Sequence, residues 1–166
     1  MISKFEKVKP RVPYFDYKKH HMYVYVYLNP FEEKYQKYNI QGNIIEFAYT
    51  PIYIGKGTSN TPNNSGYRLN AHIAEYLKNG QETDGYRTIH NETKRLKFKE
   101  LENNMRKYGH GNVDLPKNWE EYKKQWIIVL KVFNNQAQLQ RGEADLIKGI
   151  GTIRKGTGPL VNALLG

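Results

Sequence analysis

The sequence predicts a mixed α/β domain in which helices pack on a short sheet. Three observations predict it. Tyr23-Val24-Tyr25-Val26-Tyr27-Leu28 and Trp126-Ile127-Ile128-Val129-Leu130-Lys131-Val132-Phe133 are runs of β-formers, and the first is bulky on both faces, as a central strand is. Apolar residues recur at helical spacing at Leu69, Ile73, Ala74 and Leu77, at Leu96, Leu101 and Met105, and at Ala137, Leu139, Ala144 and Ile147. The resulting order of strand, strand, helix, helix, strand, helix is that of one small layered domain.

Residues 1–21 read as a basic N-terminal arm. Lys4, Lys7, Lys9, Arg11, Lys18 and Lys19 oppose only Glu6 and Asp16, and Pro10 and Pro13 discourage regular structure. Such an arm either lies along phosphates or is a solvated tail. The first strand stops at Asn29-Pro30. Residues 31–44 are polar and contain the turn signal Gln41-Gly42-Asn43. Strand character resumes at Ile44–Ala48 and again at Pro51–Gly55, which enters a loop, Lys56–Gly66, rich in Gly, Ser, Thr, Asn and Pro.

A helix is expected from Tyr67 to Lys78, ended by Asn79-Gly80. A second runs from Asn91 to Tyr108, with Lys94, Arg95, Lys97, Lys99, Arg106 and Lys107 outward, and stops at Gly109 and Gly111. After the strand at 126–133, Asn134-Asn135 opens a helix over Gln136–Lys148. A Gly-rich loop and Pro159-Leu160-Val161-Asn162 follow. No repeat and no composition break marks a second domain.

The length, 166 residues, suits one domain with a real core, and 39% hydrophobic residues excludes a disordered tail. Lys and Arg number 26 against 16 Asp and Glu, leaving +10. A surplus this large points to a polyanion, with nucleic acid ahead of an anionic membrane surface and of a merely basic protein. The absence of cysteine excludes disulfides, thiolate metal sites and thiol catalysis. No signal-peptide pattern stands at Met1–Lys9 and no apolar run reaches membrane-spanning length. The expectation is a soluble, cytoplasmic protein without membrane contact.

Several polar residues sit where packing alone would not place them. Tyr25 and Tyr53 lie in neighbouring strands, where tyrosine is ordinarily a packing residue. Gly55 ends its strand, a position that permits close approach to backbone. Arg68 and His72 share a helix face beside the Leu69/Ile73 stripe, an arrangement that suits phosphate, or simply a solvated helix edge. Glu143 falls between Leu139 and Ile147 on the apolar stripe, where a carboxylate needs a partner such as a divalent cation. Asn162 is the polar group of an apolar closing stretch. Other motifs fail: Gly55-Lys56-Gly57 is no P-loop, Gly149-Ile150-Gly151 lacks a third dinucleotide-binding glycine because Arg154 stands there, and the histidines show no zinc spacing.

Tyr23-Val24-Tyr25, Tyr53-Ile54-Gly55, Arg68-x-x-x-His72, Glu143 and Asn162, in that order, resemble the GIY-YIG nuclease superfamily, which includes phage and intron-encoded homing endonucleases, some restriction enzymes and the incision subunit of bacterial nucleotide excision repair. The resemblance spans residues 22–163. It implies a small three-stranded sheet flanked by helices, with the catalytic domain over 22–166 and insertions near 30–44, 58–66 and 81–125. It implies an endonuclease that hydrolyses phosphodiester bonds of duplex DNA, by nicking or double-strand cleavage, with one Mg²⁺ or Mn²⁺ ion per site.

Carried over, Tyr25 would help activate the attacking water and Tyr53 would stand by the scissile phosphate. Gly55 would let backbone approach, and Lys56 would add a polar or basic group. Arg68 would stabilise transition-state charge, and His72 would orient groups or relay protons. Glu143 would be the single metal ligand and Asn162 would support the site. The chain departs from the pattern where Tyr23 replaces a glycine, where the two motifs are separated more widely than usual, in the loop Thr58–Gly66, which reads as inserted, and in the segment 81–125, which is longer than a minimal core. With no further domain read after Asn162, DNA contact is expected from the arm, the loops and the basic helix, with Lys56, Arg68, Lys94, Arg95, Lys97 and Lys99 as DNA-binding residues. A homing-type or phage-encoded enzyme, acting in the host cytoplasm, is the first reading, and a restriction-like homodimer the second. A non-catalytic nucleic-acid-binding module on the same fold is the alternative from a different class.

Overall fold

A computed structural model describes residues 7–12, 15–16, 22–57, 67–80 and 89–162. It contains four strands, β1 (Val8–Lys9), β2 (Tyr23–Ile40), β3 (Asn43–Gly57) and β4 (Ile127–Val132), and four α-helices, α1 (Tyr67–Glu75), α2 (Ile89–Tyr108), α3 (Trp119–Gln125) and α4 (Gln136–Ile150). The strands form one antiparallel sheet in the order β1-β3-β2-β4. The mixed α/β expectation holds, but the sheet has four strands rather than three. The extra strand comes from the predicted arm: Val8 pairs with Phe47, Lys9 pairs with Glu46, and Val12 donates its N–H to the Val129 carbonyl. Val8 is apolar and 2% exposed, so its burial draws this part of the arm onto the sheet.

The centre of the fold is the β2–β3 hairpin. Gln41 and Gly42 both have positive φ, 53° and 82°, the geometry of a two-residue turn whose twist suits antiparallel strands. Residues 31–44, expected to connect, are instead the distal half of this hairpin. Their polarity is that of a ribbon with one side wet: Gln36, Tyr38 and Ile40 are half-buried while their neighbours are exposed. The two short strands expected at 44–48 and 51–55 are one strand. Pro51 interrupts the pattern but not the chain path, because it lies opposite Leu28 where the β2–β3 register shifts, and irregular positions tolerate a residue without an N–H.

The sheet has two covered faces. Tyr23, Tyr25 and Tyr27 stand opposite Gly57, Gly55 and Tyr53, so these six residues share one face. The stacked pair Tyr27–Phe98, with ring centroids 6.0 Å apart, fixes α2 against that face, and Tyr122 brings in α3. Trp119 packs on Tyr76, Phe98 and Tyr122, closing an aromatic cluster. The other face carries Val24, Val26 and Ile54 and is covered by α4 through Leu139, Ile147 and Ile150.

Each helix shows how local chemistry sets its buried side. In α2 the buried stripe is Phe98, Leu101 and Met105, while Leu96, expected inside, is 52% exposed. Two residues of helix turn Leu96 roughly 200° away from Phe98. After α1 a π-turn, Tyr76–Gly80, adds a residue to the turn, so Tyr76 is buried where the regular spacing favours Leu77, which is 44% exposed. Helix α3 was not expected. Its Asn118 side chain accepts the Glu121 N–H at 3.0 Å, a standard N-cap, but its seven residues bury only Trp119 and Tyr122. In α4 the Asn135 cap accepts the Gln138 N–H at 2.8 Å, as the Asn134-Asn135 signal suggested.

The Tyr122 hydroxyl donates to the Leu28 carbonyl at 2.7 Å, with both groups buried. Tyr122→Phe leaves that carbonyl without this donor and is expected to lower unfolding free energy by about 1–3 kcal/mol in a urea titration.

Candidate active site

The β2–β3 register brings the two tyrosine motifs together. Tyr25 stands opposite Gly55 and Tyr27 opposite Tyr53. Glycine at 55 meets a spatial need. A Cβ there would stand 2.7 Å from Tyr25 Cε2 and closer still to Cζ and Oη, so the Tyr25 ring lies directly over the Gly55 backbone. Tyr23 uses Gly57 in the same way. Tyr25 is 1% exposed, whereas Tyr53 is half-buried and is the more accessible of the two motif tyrosines.

His72 of α1 sits against this face. Its ring centroid lies 4.3 Å from that of Tyr53, 6.1 Å from Tyr27 and 6.4 Å from Tyr25. The helix is held there by the Tyr27 hydroxyl, which donates to the Leu69 carbonyl, and by buried Ile73. Burial pushes the Tyr27 hydroxyl far above the ordinary phenol range, with the nearby Tyr122 and Tyr53 adding to it. Tyr27 is therefore a neutral donor at any physiological pH and serves as a strut. It was not among the expected site residues, although its alternation with Tyr23 and Tyr25 placed it on their face. Arg68 occupies the first turn of α1, one turn before His72, and its side chain lies outside the described residues.

Lys94, expected to contact DNA from an outward face, reaches this cluster from α2. Its Nζ is 3.2 Å from His72 Nδ1, 3.8 Å from Glu75 Oε2 and 5.7 Å from the Tyr53 ring centroid. Burial lowers the pKa of its amine, and Glu75 acts in the opposite sense. The other expected DNA contacts on α2 divide. Arg95 pairs with Glu92 and Lys97 with Glu100 at 3.1 Å, while Lys99 is exposed.

Lys56 and Glu143 form a second cluster. Lys56 pairs with Val24 across the sheet and so faces α4, on the side opposite Tyr53 and Gly55. Its Nζ stands 3.8 Å from Glu143 Oε1. The Glu143 side chain is 17% exposed, and burial raises its pKa above the usual carboxylate value against the counter-pull of Lys56. The ordered motif residues thus occupy both faces of the C-terminal end of β3 rather than one.

Asn162 joins the two clusters. Its Oδ1 accepts the Ile54 N–H at 3.0 Å and its Nδ2 donates to the Ile54 carbonyl at 2.8 Å. Beside it, Val161 N–H donates to the Ile52 carbonyl at 2.8 Å. Residues 161–162 therefore act as a short substitute strand along the outer edge of β3, between Tyr53 and Lys56. The side-chain amide copies the donor–acceptor pair of a peptide unit, which is why asparagine serves here.

Among the described residues, no group of three or more His, Asp or Glu side chains converges on one point, and no helix is long and apolar enough to cross a membrane. No protein-family model, curated protein or solved structure matches the chain.

Asn162→Ala removes both bonds to Ile54. The expected result is a loss of about 1–3 kcal/mol in unfolding free energy and faster amide hydrogen exchange at Ile54 than in the unaltered chain.

Proposed function

We propose that the chain is a metal-dependent DNA endonuclease of the GIY-YIG type, hydrolysing phosphodiester bonds in duplex DNA. The observation that carries this reading is the register that sets Tyr25 on Gly55 and Tyr27 on Tyr53, with His72 4.3 Å from the Tyr53 ring. Tyr25, Tyr53, Gly55 and His72, distant in sequence, are gathered on one face of β3, which supports this reading. The +10 charge supports a polyanionic substrate.

In this reading the half-buried Tyr53 hydroxyl lies beside the scissile phosphate and His72 and Lys94 supply donors and positive charge to it. Arg68, one helical turn from His72, adds a guanidinium suited to phosphoryl oxygens. Such fixed donors stabilise charge that develops during hydrolysis. Tyr25 covers the Gly55 backbone with its ring, so that face of Gly55 is filled by Tyr25 and not left for approach, and Tyr25 serves to fix the strand that carries Tyr53.

Glu143 would hold the ion. A lone carboxylate fits Mg²⁺, which commonly keeps several waters and takes one or two carboxylates plus substrate phosphate. The fit is supported by the placement of Glu143, 17% exposed between buried Leu139 and Ile147 on α4, where a carboxylate gains from a cationic partner. The chemistry that Mg²⁺ or Mn²⁺ held by Glu143 would supply is charge neutralisation or a more acidic water. Lys56 holds Glu143 in place and keeps it oriented. The exposed Lys99 and the rest of the basic surface would follow the DNA backbone, and cleavage of one long site or of many short ones would separate homing-type action from restriction-like action by a homodimer.

A specific observation favours the rival reading of a non-catalytic nucleic-acid-binding module. Glu143 and Tyr53 face opposite sides of β3, and Glu143 already has a cation in Lys56. Supercoiled-plasmid cleavage with Mg²⁺ or Mn²⁺ separates the two. The endonuclease reading predicts nicking by the unaltered chain, lost by 100-fold or more on the order-of-magnitude scale of an essential group in Glu143→Gln. Metal-dependent nicking absent from the unaltered chain, with salt-sensitive binding retained, supports the module.

The same variant tests the electrostatics. A carboxylate whose pKa is raised by folding costs nothing below its unfolded pKa and opposes folding once pH rises through the folded value. Glu143→Gln is therefore expected to be at least as stable as the unaltered chain at neutral pH without metal, and the difference to vanish in acid.

A further inference from the structure

Lys94 makes a contact whose chemistry has one direction. An ammonium group has three donors and no acceptor, and Lys94 Nζ stands 3.2 Å from His72 Nδ1. The imidazole can accept only at an unprotonated nitrogen. A neutral ring with its lone pair at Nδ1 carries its proton at Nε2. We propose that Lys94 is a positioning residue that holds His72 in the Nε2–H tautomer, so that the ring meets the phosphate as a hydrogen-bond donor.

The surroundings of Lys94 support a fixed amine. Its side chain is 18% exposed, and Glu75 Oε2 at 3.8 Å supplies an opposite charge from the same helix that carries His72. The ring face of Tyr53 lies 5.7 Å from Nζ, within the range of cation–π attraction. Three groups on two elements thus locate one ammonium between α1 and β3, and α2 supplies it. The consequence deepens the endonuclease reading and rests on it for its meaning. With Nδ1 occupied by a cation and Nε2 protonated, His72 begins the reaction as a donor to a phosphoryl oxygen and not as the base that deprotonates water. The base function then falls to a group other than His72.

The tautomer is observable without any cleavage. Long-range ¹H–¹⁵N spectra of the full, ¹⁵N-labelled chain at about pH 7, just above the ordinary His pKa and kept low because burial lowers the pKa of the Lys94 amine, report which ring nitrogen is protonated, and His72→Gln assigns the signal. The expected result is a His72 pattern of the pure Nε2–H form. Lys94→Met should convert it to a mixture of the two tautomers, and Lys94→Arg, whose guanidinium is also donor-only, should keep it. An Nδ1–H pattern in the unaltered chain overturns the proposal. So does a pure Nε2–H pattern that persists in a well-dispersed Lys94→Met spectrum. Should Lys94→Met fail to fold, the unaltered chain and Lys94→Arg decide, since an Nδ1–H pattern in either contradicts the lock. A chain that shows the lock but cuts no DNA would count against the endonuclease reading alone.

Discussion

The fold turns on one steric relation, the Tyr25 ring laid over the backbone of Gly55. It is repeated one step along by Tyr23 over Gly57. Because side chains alternate along a strand, a slip of one residue would send both rings to the other face and press them against side chains in place of glycines. The paired tyrosines and glycines therefore set the β2–β3 register more firmly than apolar patterning could, since both faces of this sheet are buried. That register places Tyr27 opposite Tyr53. Tyr27 in turn anchors α1 through Leu69 and α2 through Phe98. His72 and Lys94 arrive at Tyr53 on these two helices.

The opposite face follows a different economy. There α4 buries Leu139 and Ile147 on the sheet and carries Glu143 between them. The carboxylate loses solvation, recovers part of it from Lys56, and is left with a raised pKa. In a dry setting the charged form of such a group is disfavoured unless a cation stands beside it, and Lys56 is that cation here. Among the described residues the outer edge of β3 is paired by a strand only at the short β1, and Asn162 closes it further along by hydrogen-bonding both backbone polar groups of Ile54. The asparagine's role is thus architectural: it steadies the strand from which Tyr53 and Lys56 project in opposite directions.

Much of this was legible in the amino-acid order. The alternation at 23–28 and the apolar run at 126–133 read as strands because burial on both faces demands continuous bulk. The Gln41-Gly42 turn and the Asn135 cap read correctly because each answers a local backbone need. Glu143 and Asn162 drew notice as polar residues in apolar company, and both are paired where they stand. What escaped was decided by tertiary contact. Val8–Lys9 becomes a strand only because Phe47 and Glu46 lie beside it. Helix α3 is too short for periodicity to show, and its Trp119 and Tyr122 matter through partners far away in sequence. Lys94 looked like one more outward cation because helical spacing gives a direction relative to its own axis, not to the neighbouring helix that supplies His72 and Glu75. The same limit hid the separation of Lys56 from Tyr53, which follows from strand alternation once β3 is known to run unbroken to Gly57.

The central claim, that ring-on-glycine packing sets the register and through it the site, is tested most directly by a double-mutant cycle. Gly55→Ala would be made in the unaltered chain and in Tyr25→Val, with unfolding free energies read from urea titrations. Gly55 has no left-handed φ, so alanine is excluded by space and not by backbone conformation. The account predicts that Gly55→Ala costs about 1–3 kcal/mol beside Tyr25 and that most of this cost disappears once the ring is gone, a coupling of the same order. An equal cost in both backgrounds would contradict it.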